Sequence, residues 1–338
     1  MDKDRYARQL LLPEIGEEGQ GRLAEARVAI IGGGALGSFI AANLARAGVG
    51  RLKIIDRDYV ELSNLQSQLL FDEEDVSSRY PKAVAIANHL RRINSSVIVE
   101  PFAIDLNPGN IERTLEGCDL FMDGTDNFET RFLINDLSLQ QGVPWVYTGV
   151  VGTTGMTMKI IPAKTACLRC LLPTPPSWSA TPTCETAGLL AAAAHFVASV
   201  AVVEALKILL GRGNNEGGLI IADLWRAELQ RVAVRRDPQC PTCGAGRLDF
   251  LRRRAGAAPV KICGRDMFQI SPPKPLELSL TELAKRLERV GVVRRYDYLL
   301  QVEVPEGELT LFSDGRVLIK GAKDEAEAKS LYARYIGM

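Results

Sequence analysis

Histidine is almost absent from this chain of 338 residues, which has only His89 and His195. Aromatic residues are scarce at 6%, and neither charge sign is in excess, with 41 Lys plus Arg against 41 Asp plus Glu. A chain with no net field favours neither nucleic acid nor an anionic membrane as a partner. The opening MDKDRYARQL holds no apolar run of the signal-peptide kind. One stretch, Ala187 to Gly211, has the length of a membrane span. It is rich in alanine and carries His195, Glu204 and Lys207, so it reads as a helix buried in a core or a dimer interface. Seven cysteines are few for a disulfide scaffold of this size, and four of them form two C-x-x-C pairs. That usage argues for a reducing compartment and a metal, hence a cytosolic protein.

What is present is an alternation of strands and helices. RVAIIGGG (27–34) reads as a strand, ALGSFIAANLARAG as a helix ending at Gly48, and RLKIIDRD as a second strand. The helix YPKAVAIANHLRRIN and the strands SVIVEPFAI, CDLFMDGTD and PWVYTGVVG continue the rhythm, with NFETRFLINDLSLQQG as a helix before the last of them. This predicts an α/β fold: a Rossmann-like, mostly parallel sheet with helices on both faces over residues 1–246. A linker, 247–259, with a solvated arginine run then leads to a small α+β domain, 260–338. There VKICGRDMFQI reads as a strand, SLTELAKRLERVG as a helix capped by Ser279 and Glu282, and Asp314-Gly315 as a hairpin turn.

Gly32, Gly34 and Gly37 have the spacing G-x-G-x-x-G between an apolar strand and a helix. Glycines there let backbone N–H groups approach a phosphate at a helix N-terminus. Asp56, at the end of the second strand, is placed to accept hydrogen bonds from ribose hydroxyls, which fits NAD and ATP equally. Arg8, Asn64, Gln68, Lys82 and Asp126 add the charge and amides of a polyphosphate site, with Asp126 at a strand end where phosphate-bound Mg²⁺ could lie. Neither histidine is well placed as the acid/base that an NAD dehydrogenase commonly needs. Cys167, Cys170, Cys240 and Cys243 suit a closed tetrahedral zinc site, the alternatives being unrelated pairs or a redox C-x-x-C. Cys184, before the alanine-rich helix, is either a nucleophile with a depressed pKa or an inert, partly buried thiol. Cys118 and Cys263 read as structural.

RYARQ, GGGALGS, IDRDYVELSNLQ, PKA, DGTDN, CLRC, TCETAG and CPTC occur in this order. On these motifs, residues 3 to 246 strongly resemble the ThiF/MoeB/HesA family, the bacterial relatives of ubiquitin-activating enzymes. The resemblance implies that ATP·Mg²⁺ is bound and that the C-terminal glycine of a ubiquitin-fold sulfur-carrier protein is adenylated, releasing pyrophosphate. It implies a homodimer in which Arg8 reaches the other chain's site. Asp56 would hold the ribose, Asn64, Gln68 and Lys82 the triphosphate, Asp126 the Mg²⁺, and the four cysteines zinc. Cys184 would link covalently to the carrier during sulfur transfer in the thiamine branch. Residues 260–338 resemble an extension found on some Firmicute-type members.

The nucleophile of such a reaction is a carboxylate, ionised at pH 7, so a chain with two histidines needs no general base. One departure stands out. The family usually reads NLQRQ where this chain reads NLQSQ, placing Ser67 at an arginine position. Serine keeps a hydrogen bond but loses the charge and the bidentate fork. The expected activity is therefore adenylation of a ThiS-like carrier for thiazole synthesis. Alternatives are a MoaD-like carrier in molybdopterin synthesis, or a non-catalytic adaptor for a carrier, which only Ser67 favours. An NAD-linked oxidoreductase leaves zinc, Lys82, Asp126 and Arg8 unexplained.

Overall fold

The structure, a computed structural model, describes residues 3–176, 184–212, 217–253, 260–262, 267–272, 276 and 278–337. The side chains of 184, 185 and 260–262 lie outside that description. The chain divides into two units, one comprising Met1–Glu73 and Pro81–Arg253, the other Glu74–Tyr80 and Arg254–Met338.

The first unit begins with helices α1 (Ala7–Leu10) and α2 (Gly16–Glu25). Then come β1 (Arg27–Ile31), α3 (Ala35–Ala47), β2 (Arg51–Ile55) and a 3-10 turn (Leu62–Asn64). After α4 (Glu73–Ser78), which apart from Glu73 groups with the second unit, α5 (Lys82–Ile93) leads to β3 (Ile98–Phe102), α6 (Ile111–Leu115), β4 (Leu120–Asp123), α7 (Phe128–Gln141) and β5 (Trp145–Val151). The unit closes with β6 (Thr154–Ile160), α8 (Leu168–Leu171), α9 (Cys184–Ala187), α10 (Ala191–Leu209), β7 (Leu219–Asp223) and β8 (Glu228–Val232). Its sheet runs β3-β2-β1-β4-β5-β6-β7-β8. Strands β3 to β5 are parallel, and β5 to β8 pair antiparallel. The strand order reverses between β1 and β4, which opens a crevice at their carboxyl ends, the place where such sheets bind ligands.

Local chemistry explains these elements. β1 reads RVAII, with its last four residues buried, as a central parallel strand covered on both faces requires. Gly48 ends α3 in the left-handed conformation at φ +82°. Asn127 caps α7 by accepting the Thr130 N–H. The core between α6, α7 and the sheet holds Ala29, Ile31, Phe121, Phe132 and Trp145. α10 has the length and composition of a membrane span. Its small residues Ala193, Ala194, Ala198 and Ala201 are buried, and it packs on α3, β5 and β6. Glu204 on this helix bonds the buried Lys159 of β6 at 2.9 Å.

Besides most of α4, the second unit holds an antiparallel sheet ordered β11-β12-β13-β14-β10-β9 and the helices that cover it. Its strands are β9 (Val260–Ile262), β10 (Met267–Ile270), β11 (Val292–Arg295), β12 (Leu299–Val304), β13 (Gly307–Phe312) and β14 (Val317–Lys320). Its helices are α11 (Leu280–Leu287) and α12 (Glu325–Tyr335), which cover a core of Phe268, Leu287, Val302, Leu311, Ile319 and Leu331.

Four expectations need correction. VKICGRDMFQI is two strands, since Met267 pairs antiparallel with Ile262. The helix expected over 279–291 ends at Leu287, although Ser279 caps it through the Glu282 N–H. The expected linker 247–259 is shorter, because Phe250 is buried and Asp136 accepts the Phe250 N–H at 2.8 Å. Residues 1–246 are also interrupted, because Glu74–Tyr80 groups with the second unit, where Tyr80 lies edge-on to Tyr298 at 6.0 Å.

Candidate active site

The glycine loop is built by close approach. Gly32 has φ +90°, and a Cβ there would lie 2.5 Å from the Gly124 carbonyl oxygen. A Cβ on Gly37 would lie 1.7 Å from the Gly32 carbonyl oxygen. Gly34 caps α3, and a Cβ on it would meet nothing within 4 Å. Gly124, in DGTDN, completes the cluster: its own Cβ would lie 2.4 Å from the Gly32 oxygen. The loop after β1, the first turn of α3 and the loop after β4 thus interlock through three glycines.

Asp56 follows β2 beside this loop. Its Oδ2 accepts the Gly33 N–H at 2.6 Å and its Oδ1 the Asp58 N–H at 2.7 Å. Burial pushes its carboxyl up, while Lys82 pulls it down. Lys82 opens α5 behind Pro81; it is buried, with Nζ 3.8 Å from Asp58 Oδ2. Arg57 pairs with Asp105 at 3.2 Å. Burial opposes its charge, but Asp105, Asp58, Asp126 and Asp56 together hold its pKa above the usual value. Asp126 is exposed on the loop after β4.

Asn64 is buried, and its Oδ1 accepts the Glu61 N–H at 3.0 Å, which leaves its amide N–H groups for a ligand. Gln68 Oε1 is buried and has no hydrogen-bond partner among the described residues. The fold therefore gathers Gly32, Gly34, Gly37, Asp56, Lys82 and Asp126 at the carboxyl ends of β1, β2 and β4, with Asn64 and Gln68 on the segment that follows β2. Arg8 is not brought there. Exposed on α1, it sits beside Gln9, which donates to the Ala47 carbonyl at the far end of α3. Thirteen residues of helix put that end about 20 Å from the glycine loop.

Two supports escaped the sequence reading. Asp123, fully buried at the end of β4, pairs with Arg131 at 2.9 Å and accepts from the Thr125 N–H and hydroxyl. Arg131 in turn donates to the Thr125 carbonyl, which fixes the turn that carries Gly124 and Asp126, and to the Thr148 carbonyl of β5. The only signal in the sequence is the eight-residue separation of two opposite charges across a strand end. His195, on α10, bonds the Ser67 carbonyl at 3.0 Å.

The four cysteines converge. Cys167 Sγ lies 3.8 Å from Cys170 Sγ and 3.5 Å from Cys240 Sγ, and Cys170 Sγ lies 3.4 Å from Cys243 Sγ. All four sulfurs fall within 4.8 Å of one another. A tetrahedron with metal–sulfur bonds of about 2.3 Å has sulfur–sulfur edges of about 3.8 Å, so the set fits a four-thiolate metal site. The spacings exclude disulfides, whose sulfurs lie about 2 Å apart. Cys118 is buried, and burial pushes its thiol up to about 11. Cys184 opens α9, but its side chain lies outside the described residues, as does Cys263.

A doubly wound sheet with this crevice and glycine loop defines a nucleotide-binding enzyme unit. Residues 6–242 match the ThiF family, and the chain belongs to it. It is an adenylyltransferase, as are its named relatives. A protein of Bacillus subtilis (strain 168) described as a sulfur carrier protein ThiS adenylyltransferase is 42% identical over 337 residues, covering 98% of this chain and 99% of its own. A sulfur carrier protein adenylyltransferase of Thermus thermophilus is 39% identical over 247 residues, covering 71% of this chain and 90% of its own. The crystal structure of E. coli MccB with ATP superposes with a TM-score of 0.63 at 22% identity, over 72% of this chain and 75% of that one, which shows the shared fold.

Proposed function

We propose that this chain adenylates the C-terminal glycine carboxylate of a ubiquitin-fold, ThiS-like sulfur carrier, for sulfur transfer in thiamine thiazole synthesis in the cytoplasm. The observation that carries the reading is Lys82. A buried cation at the start of a helix, beside a ribose-type carboxylate and a glycine loop, suits a triphosphate. The Bacillus relative supports the choice of carrier.

In this reading the carrier carboxylate attacks the α-phosphorus of ATP, the bond to the pyrophosphate oxygen breaks, and no proton moves. Catalysis is positioning and charge neutralisation. Asp56 accepts from the ribose hydroxyls. The N–H groups at the start of α3, Asn64, Gln68 and Lys82 hold phosphate oxygens, and Asp126 holds the Mg²⁺ that accompanies ATP. Arg8 serves the site of the second chain in a homodimer. The distance of α1 from its own glycine loop supports that, as do the exposed apolar residues Phe196 and Val203 on α10. An arginine supplied in trans is worth about 10³–10⁵ in rate in phosphoryl-transfer enzymes. The four cysteines hold zinc as a structural ion that ties 167–170 to 240–243. Cys184 forms the covalent link to the carrier: its thiolate attacks the acyl-adenylate carbonyl, the C–S bond forms as the bond to AMP breaks, and AMP leaves.

ATP–pyrophosphate exchange with Mg²⁺, with and without a carrier ending in Gly-Gly, tests the reading. Exchange that depends on a ThiS-like carrier supports it, and exchange with only a MoaD-like carrier moves the enzyme to molybdopterin synthesis. A carrier that binds without exchange favours an adaptor, the reading that Ser67 alone supports. Cys184→Ala is expected to keep exchange and lose the carrier adduct, and an adduct that persists places that role elsewhere.

A further inference from the structure

We propose that His195 is a positioning residue for the nucleotide site, holding the Ser67–Gln68 turn against the first turns of α3. The catalytic readout of this inference rests on the adenylation reading. His195 projects from α10, a helix whose fully buried residues are alanine and valine. Its Nε2 lies 3.0 Å from the Ser67 carbonyl oxygen. A carbonyl only accepts, so Nε2 carries the proton and donates. The ring also stacks on Phe39, with centroids 5.0 Å apart and planes 20° from parallel. Phe39 stands two residues beyond Gly37, in the helix that follows the glycine loop.

One imidazole therefore bridges the Ser67–Gln68 turn and α3, the two segments that carry Gln68 and the end of the glycine loop. The turn it holds is otherwise light: the Ser67 and Gln68 N–H groups both return to the Asn64 carbonyl, at 3.1 and 2.9 Å. Gln68 presents a buried Oε1 without a partner, an arrangement that costs free energy until a ligand or water satisfies it. Such a group is useful only if its backbone is fixed. Where the family places an arginine, this chain has Ser67, whose side chain cannot reach across to anchor the turn through a charge. The donor from α10 acts on the backbone at that same residue. Ser67 and His195 are 128 residues apart in sequence, so the pair exists only in the folded chain.

The test compares wild type with His195→Leu, which lacks donor and ring, His195→Phe, which keeps a ring against Phe39, and His195→Gln, which keeps a donor. Carrier-dependent ATP–pyrophosphate exchange gives KM for ATP and kcat. Hydrogen exchange at the Ser67 and Gln68 amides in the nucleotide-free protein reads the turn directly. The expected result is a rise in KM for ATP of about 3- to 10-fold in the Leu and Phe variants, the scale of one lost hydrogen bond. In these two variants kcat should be little changed and the two amides should exchange faster, with His195→Gln close to wild type in all respects. If the Leu variant does not fold, the Phe variant carries the comparison. Equal KM and equal amide exchange in all four proteins would overturn the proposal. So would equal impairment of the Gln, Leu and Phe variants, which would reduce His195 to packing. If wild type shows no exchange activity, the adenylation reading fails, and amide exchange alone decides whether His195 holds the turn.

Discussion

Replacing Gly37 by alanine sets two effects against each other. In an ordinary helix interior the change stabilises by about 1 kcal/mol, because alanine is the better helix former. Here the new Cβ would lie 1.7 Å from the Gly32 carbonyl oxygen, whereas real Cβ atoms stay beyond 3.0 Å. The loop or the helix must yield by about 1.3 Å, and both elements are backbone, with Gly124 closing the space from the other side. Overpacking of this kind costs about 1–3 kcal/mol, and at a backbone contact the upper end applies, so the sign reverses to a net loss of about 2 kcal/mol. For a unit of this size that is a fall of about 4–8 °C in Tm. A displacement of about 1 Å beside the reacting phosphate costs about 10²-fold in kcat/KM. Gly34→Ala is the control: its Cβ meets nothing within 4 Å, so the fold should keep its wild-type Tm while ATP affinity falls, because the open space is where phosphate would sit. Calorimetry and ATP titration of the two variants check this. A Gly37→Ala protein as stable and active as wild type would refute the interlocked-glycine account, and a Gly34→Ala protein with unchanged ATP affinity would place the phosphates elsewhere.

Glu204 is raised by burial but lowered on balance by hydrogen bonds from Lys207 and Lys159. A depressed carboxyl stabilises the fold above its ordinary value of 4.5 and loses that contribution as pH falls through the folded-state value. Glu204→Gln should therefore flatten the acid limb of a stability profile and cost about 3 kcal/mol at neutral pH, by stranding the buried Lys159; an unchanged profile would deny the pair its role. If the four cysteines hold zinc as proposed, elemental analysis should find about one ion per chain in the wild type, and Cys240→Ser should lose it and lower Tm, an effect that a chelator should reproduce on wild type. Arg8→Ala and Lys82→Met should each abolish exchange; if the proposed homodimer forms with Arg8 acting in trans, mixed chains should recover about a quarter of the wild-type sites, since half of the dimers would be mixed and each of those would have one intact site. No recovery on mixing would argue that Arg8 acts within its own chain.

Much of the candidate site was legible because its signals are local. Gly32, Gly34 and Gly37 mark a strand-to-helix turn by spacing alone, Asp56 ends the next strand, and two C-x-x-C knuckles announce their sulfurs. Asp123 and Arg131 were not legible, because a buried ion pair looks like any two surface charges until burial is known. Gly124 was hidden inside DGTDN, whose polar residues drew the attention. The strands β6 to β8 also escaped: they pair antiparallel after the parallel run, and β8 is exposed along its whole length, so it carries no apolar alternation. The linker was overdrawn because an arginine run masks Phe250, which is buried.

By itself the sequence determined the α/β rhythm, the glycine loop, the carboxylate of Asp56 at a strand end and the four cysteines of the two knuckles. Each of these depends on residues within one turn or one strand end, where spacing dictates geometry. Only the tertiary structure decided that Gly124 closes the loop, that Arg8 stands far from its own chain's site, that Glu74–Tyr80 groups with the second unit, and that His195 bonds Ser67. Those pairings join residues tens to more than a hundred positions apart, and no local periodicity encodes a contact that forms only when separate strands and helices pack.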